Sequence, residues 1–102
     1  MSIMYIREYP DSGAYQNGNI LPAEPGTDQA PVSFTATAAQ SATFKTNTRV
    51  VRITVDGTAS ILFGTNPTAV ANTNLRMGAG QTSDFLVLPG SGLKVSAVTT
   101  TV

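Results

Sequence analysis

Residues 49–64 read Arg49-Val50-Val51-Arg52-Ile53-Thr54-Val55-Asp56-Gly57-Thr58-Ala59-Ser60-Ile61-Leu62-Phe63-Gly64, two β-branched and apolar runs joined by a turn dipeptide. Within the first run Val51, Ile53 and Val55 alternate with Arg52 and Thr54. A strand sends successive side chains to opposite faces, so the three aliphatics share a buried face while Arg52 and Thr54 point away from it. Between the runs stands Asp56-Gly57, where glycine tolerates the positive φ of a tight turn, and this predicts a β-hairpin. The pattern is that of half-buried strands and not of a helix.

The same texture extends in both directions. Strands are predicted near residues 32–38, 42–45, 49–56, 59–64, 74–77, 83–88 and 93–99, punctuated by Gly64-Thr65-Asn66-Pro67, Gly78-Ala79-Gly80 and Pro89-Gly90-Ser91-Gly92. Short strands separated by frequent turn signals define an all-β sandwich or barrel. The predicted fold is therefore all-β, a small antiparallel, jelly-roll-like β-sandwich over residues 32–102. Phe34, Phe44, Phe63 and Phe85 fall inside predicted strands and are assigned to the core. Asn66 before Pro67 can cap a single helical turn over residues 68–72.

Towards the N-terminus the composition changes. Residues 1–31 hold Pro10, Pro22, Pro25 and Pro31 with Gly13, Gly18 and Gly26. Proline fixes φ and removes an amide donor, which prevents a helix and cuts any strand into short pieces. This stretch is predicted to be an extended arm, dispensable for the fold of the sandwich, with one strand over residues 4–9. Its aromatics, Tyr5, Tyr9 and Tyr15, suit an arm that docks onto a partner. Tyr5, Ile6, Arg7 and Tyr9 are placed to add a strand to a partner's sheet edge. Arg49 and Arg52, flanking Val50-Val51, are the candidate anchors on the sandwich itself.

Composition limits the functions open to this chain. Its 102 residues suffice for one domain, given roughly 100–200 residues per domain. Charged residues are 12%, against ~25% in ordinary soluble domains, and six Lys+Arg balance six Asp+Glu. Nucleic-acid binding, which needs a basic face to neutralise phosphates, is not expected. The absence of Cys and His removes the thiolate nucleophile, the commonest general base and the commonest metal ligand. Neither Pro89-Gly90-Ser91-Gly92-Leu93-Lys94 nor Gly78-Ala79-Gly80-Gln81-Thr82-Ser83 carries a complete phosphate-binding fingerprint. The six carboxylates, Glu8, Asp11, Glu24, Asp28, Asp56 and Asp84, show no pairing that suits acid–base catalysis or a calcium loop. No enzymatic activity, cofactor or metal is expected. No apolar run approaches the ~18 residues of a membrane helix, and no membrane partner is expected.

Arg49-Val50-Val51-Arg52-Ile53, then Phe63-Gly64-Thr65-Asn66-Pro67-Thr68-Ala69, then Leu88-Pro89-Gly90 with Leu93-Lys94-Val95 resemble the small virion structural proteins of tailed bacteriophages. The resemblance covers residues 32–98. Where those proteins often carry a cysteine or histidine before Phe-Gly, this chain has Ala59-Ser60-Ile61-Leu62. The resemblance implies a capsid decoration, or cement, protein on the outer surface of the phage head, made in the host cytoplasm. Its implied partners are the major capsid protein and copies of itself, as a dimer or trimer. A tail, fibre or head–tail joining component, or a carbohydrate-binding β-sandwich, is the alternative.

Overall fold

A computed structural model describes residues 2–10 and 26–100 of the chain. It is all-β, with two antiparallel sheets packed face to face and no helix among the described residues. The first sheet contains β1 (Ser2–Tyr9), β2 (Thr27–Asp28), β3 (Val32–Phe34), β5 (Val50–Val55) and β8 (Thr82–Leu86), in the order β2-β1-β5-β8 with β3 also on β1. The second contains β4 (Ala39–Gln40), β6 (Ala59–Gly64), β7 (Leu75–Met77) and β9 (Lys94–Thr99), in the order β4-β9-β6-β7.

The core lies between the sheets. Val51, Ile53 and Val55 fill it from β5, as their alternation requires, beside Met4 and Ile6 of β1. Across from them stand Ala59 and Ile61 of β6, Met77 of β7, and Val95 and Ala97 of β9, with Phe34 and Phe44 closing the layer. Phe63 and Phe85 are partly buried against this cluster.

Ser2–Tyr9 does not behave as part of a detached arm. It is an inner strand, paired with β5 over six residues from Met4↔Val55 to Tyr9↔Val50, and Met4, Ile6 and Tyr9 are buried. The boundary expected between residues 31 and 32 therefore does not separate this strand from the sandwich. Alternation explains the position: Met4 and Ile6 are apolar at period two and meet Val55 and Ile53 on the inner face. Residues 27–34 run back along the other edge of β1, first as β2 and then as β3. The register changes by one residue between them, from Arg7↔Asp28 to Met4↔Val32. The break contains Pro31, which has no amide to give to a ladder. Residues 11–25 of the expected arm lie outside the described residues.

Other expectations are corrected by the way strands change sheets. Asp56-Gly57 does not close a hairpin: β5 belongs to one sheet and β6 to the other, so the dipeptide is a corner between layers. Asp56 accepts the Ile3 amide on Oδ1 at 2.7 Å while its own amide donates to the Ile3 carbonyl at 3.1 Å. A Cβ on Gly57 would come within 2.2 Å of Ser2 Oγ and 3.0 Å of Ser2 Cβ, so with serine at position 2 a side chain at position 57 forces the start of the N-terminal strand to shift. The strand expected over 32–38 bends at Thr35–Thr37, where the Thr37 amide donates to Thr35 Oγ1 at 3.1 Å, and resumes in the second sheet as β4. The strand expected over 42–45 is absent. Ser41 Oγ accepts the Val95 amide at 3.0 Å, and a side chain thereby stands where a ladder would use a carbonyl. Residues 68–72 form no helical turn, and Asn72 has a φ of 61°.

The loop between β6 and β7 covers the outer face of the second sheet. The Ala69 amide donates to Ser96 Oγ at 3.0 Å, and the Asn72 amide donates to Ser60 Oγ at 3.2 Å and Thr100 Oγ1 at 3.1 Å. Ser60, Ser96 and Val98, which point away from the core, are buried beneath this loop. Small hydroxyl side chains suit the position, since each buried oxygen receives a backbone donor.

Candidate functional site

The outer face of the first sheet is built differently. The residues of β1 and β5 that point away from the core are Tyr5, Arg7 and Tyr9 opposite Thr54, Arg52 and Val50. β2 and β8 extend the middle row, because Arg7 pairs with Asp28 and Arg52 with Asp84 in register. The row across four strands therefore reads Asp28–Arg7–Arg52–Asp84.

Two arginines directly opposite one another on adjacent strands repel. The flanking carboxylates offset this: Arg7 Nε donates to Asp28 Oδ1 at 2.9 Å, and Arg52 binds Asp84 through two contacts of 2.8 and 3.1 Å. Arg52 also lies over the ring of Tyr9, with 5.8 Å from its guanidinium carbon to the ring centroid, a cation–π arrangement. The arginine side chains remain 41% and 40% exposed. Ion pairs this open contribute only about 0–1 kcal/mol each to stability, so the row orients its guanidinium groups more than it holds the fold.

On one side of the charged row stands Tyr5, 46% exposed, next to Thr54, whose hydroxyl shares a 2.7 Å hydrogen bond with Thr82. On the other side Tyr9 and Val50 are fully buried. Gly26 packs against Tyr9 so closely that a Cβ there would lie 2.8 Å from Tyr9 Cε1. Tyr5, Arg7, Asp28, Pro31, Arg52 and Thr54 line a shallow depression of about 380 Å³. This surface offers an aromatic plane, guanidinium donors and hydroxyls side by side, the chemistry that receives carboxylates and main-chain carbonyls of a protein partner.

Of the residues singled out in the sequence, Tyr5, Arg7 and Arg52 are brought together here. Ile6 points into the core and Tyr9 is covered, so neither is available at the surface. Arg49 is exposed in a separate open concavity with Pro10, Thr46, Asn47 and Pro89. Tyr15 lies outside the described residues. Sequence reasoning missed Asp28 and Asp84 as members of the face. The outward period of Arg52 and Thr54 was readable, but which carboxylates stand beside the arginines depends on strand pairing between distant segments.

Glu8 is the other polar group that the sequence did not single out. It points inward at the end of β1 and is 3% exposed. Its Oε1 accepts the Lys45 amide at 2.7 Å and the Thr48 hydroxyl at 2.6 Å, and its Oε2 accepts the Gln29 side-chain amide at 2.9 Å. With its oxygens engaged by structural donors, it acts as a clasp between β1, residue 29 and the 45–48 turn. Among the described residues no group of three or more Asp or Glu side chains is close enough to hold a metal ion. No protein-family model, curated protein or solved structure matches this chain.

Proposed function

We propose that this protein is a structural component of a tailed-bacteriophage particle, a capsid decoration protein that binds the outside of the assembled head and bridges capsid subunits. The motif resemblance supplies the particle. The observation that carries the binding role is the contrast between the two outer faces: the second sheet's is covered by the chain's own loop, whereas the first sheet's presents Tyr5, Arg7 and Arg52 beside one another. A protein that binds only the assembled shell stabilises it by RT ln(1 + [L]/Kd), and contacts to several subunits multiply that effect. A chain with no net charge decorates a lattice at high density without long-range repulsion between copies.

Co-sedimentation with undecorated heads tests the proposal. The wild-type chain is expected to pellet with heads in hundreds of copies, counted by quantitative mass spectrometry, and to raise their thermal disruption temperature. Tyr5→Ala combined with Arg7→Ala is expected to abolish binding without unfolding the protein. Full binding by that variant removes this face from the contact. A handful of copies per particle assigns the protein to the tail or vertex, and specific hits on a glycan array make it a carbohydrate-binding module.

A further inference from the structure

The sheet edges of this sandwich are unequal. β2 and β4 are two residues long, β3 and β7 are three, and β7 carries exposed Arg76 at its centre. β8 is five residues long, Thr82–Leu86, and among the described residues pairs with β5 alone. Natural edges are protected by shortness, lysine, proline or bulges. β8 has none of these within its length, and its one charge, Asp84, is engaged by Arg52.

The direction of its open hydrogen bonds follows from its pairing. The Val87 amide donates to the Arg49 carbonyl at 2.8 Å and Gln81 accepts the Val55 amide at 3.3 Å, so the odd-numbered residues of this segment turn their backbone groups towards β5. Thr82, Asp84 and Leu86 consequently direct their amides and carbonyls away from the sheet. Apolar surface accompanies this edge. Leu86 is 56% and Leu88 75% exposed, and Phe63, Phe85, Leu86, Val87 and Leu93 line a concavity of about 190 Å³. Phe85 stacks at a tilt on Phe63, with ring centroids 5.0 Å apart, so the aromatic core emerges at the edge.

We infer that β8 is a homodimer edge, paired antiparallel with β8 of a second copy about a two-fold axis at Phe85. The occupant is a second copy because the edge is self-complementary. Centring the axis on Phe85 pairs Asp84 with Leu86 and Thr82 with Leu88 across the interface, using the outward backbone groups of 82, 84 and 86. It sets Phe85 against Phe85 and Ser83 against Val87 on the core side, in the closely spaced non-hydrogen-bonded positions. Centring it on Asp84 would oppose two carboxylates, which disfavours that register. The zero net charge imposes no long-range penalty on bringing two copies together. An isologous contact of this kind closes at two subunits. It also joins the first sheets edge to edge, which places both copies of the Tyr5–Arg7–Arg52 face on the same side of the dimer. The pairing itself does not rest on the capsid proposal.

Sedimentation equilibrium of the full chain, without capsids, decides it. A concentration-dependent dimer is expected, and Leu86→Glu with Leu88→Glu, which removes the apolar edge and sets a second carboxylate opposite Asp84 of the other copy, is expected to weaken it about a hundredfold or more while leaving the circular dichroism melt intact. The chain has no cysteine, so Ser83→Cys with Val87→Cys gives a clean second readout. Oxidation should convert the double variant to a covalent dimer, and each single variant should remain uncrosslinked. A wild-type monomer at all concentrations, a trimer, a dimer indifferent to the two glutamate substitutions, or equal crosslinking by the single variants overturns the inference. Because capsid binding is measured separately, loss of one property does not stand in for loss of the other.

Discussion

Replacing Glu8 by alanine tests the account of how the first strand is held. The carboxylate sits at the end of the inner face, where the core gives way to the 45–48 turn, and serves donors from two separate segments. Thr48 is 2% exposed, so its hydroxyl has no route to bulk water once the carboxylate is gone. An unsatisfied buried donor costs about 1–3 kcal/mol, and Glu8→Ala orphans both the Thr48 hydroxyl and the Lys45 amide, for an expected loss of about 3–5 kcal/mol. Against a total of about 5–15 kcal/mol this is a large fraction, and it corresponds to a fall of about 15–30 °C in Tm. Glu8→Gln keeps an oxygen for the Thr48 and Lys45 donors but sets an amide donor against that of Gln29, and should cost only about 1–2 kcal/mol. Urea titration followed by circular dichroism, with the slope unchanged, measures both. In a double-mutant cycle, Glu8→Gln and Thr48→Val should couple by about 1 kcal/mol. A loss below about 1 kcal/mol for Glu8→Ala, or equal losses for alanine and glutamine, would refute the clasp.

Three further outcomes are expected. Ile53→Ala, emptying a fully buried core position, should cost about 2–5 kcal/mol, while the outward Thr54→Ala should cost less than about 1 kcal/mol; denaturant titration that finds the two equal places β5 in the wrong register. Deleting residues 1–10 should abolish the cooperative thermal transition, since it removes Met4 and Ile6, worth about 1.5–3 kcal/mol each, and strips β5 of one neighbour; a normal melt of the truncated chain would show that β1 is dispensable. Gly57→Ala should destabilise through contact with Ser2, and Ser2→Gly in the same chain should restore most of the loss; a failure of rescue in paired melts would remove Ser2 as the cause.

Local pattern succeeded where a segment's own residues decide the outcome. The run 59–64 forms a strand with the expected bounds, and β5, β7, β8 and β9 end within two residues of expectation, because alternation and turn residues are properties of adjacent positions. It failed where a distant segment intervenes. Ser41 ends a ladder by accepting the Val95 amide, and nothing near Ser41 in the sequence announces Val95. Asp56-Gly57 has the composition of a hairpin, yet the flanking strands find better partners elsewhere: β1 and β8 for β5, β9 and β7 for β6.

The candidate face divides in the same way. The sequence by itself determined that this chain is an all-β domain, that Val51, Ile53 and Val55 face inward, and that Arg52 and Thr54 face outward, since side-chain direction in a strand follows from period two alone. Only the tertiary structure decided that Ser2–Tyr9 is an inner strand of the sandwich, that Arg7 lies opposite Arg52, and that Asp28 and Asp84 flank the pair. Strand order and register are set by which apolar faces bury best against each other over separations of tens of residues, and a proline-rich stretch gives no local sign that the strand before it supplies Met4 and Ile6 to the core.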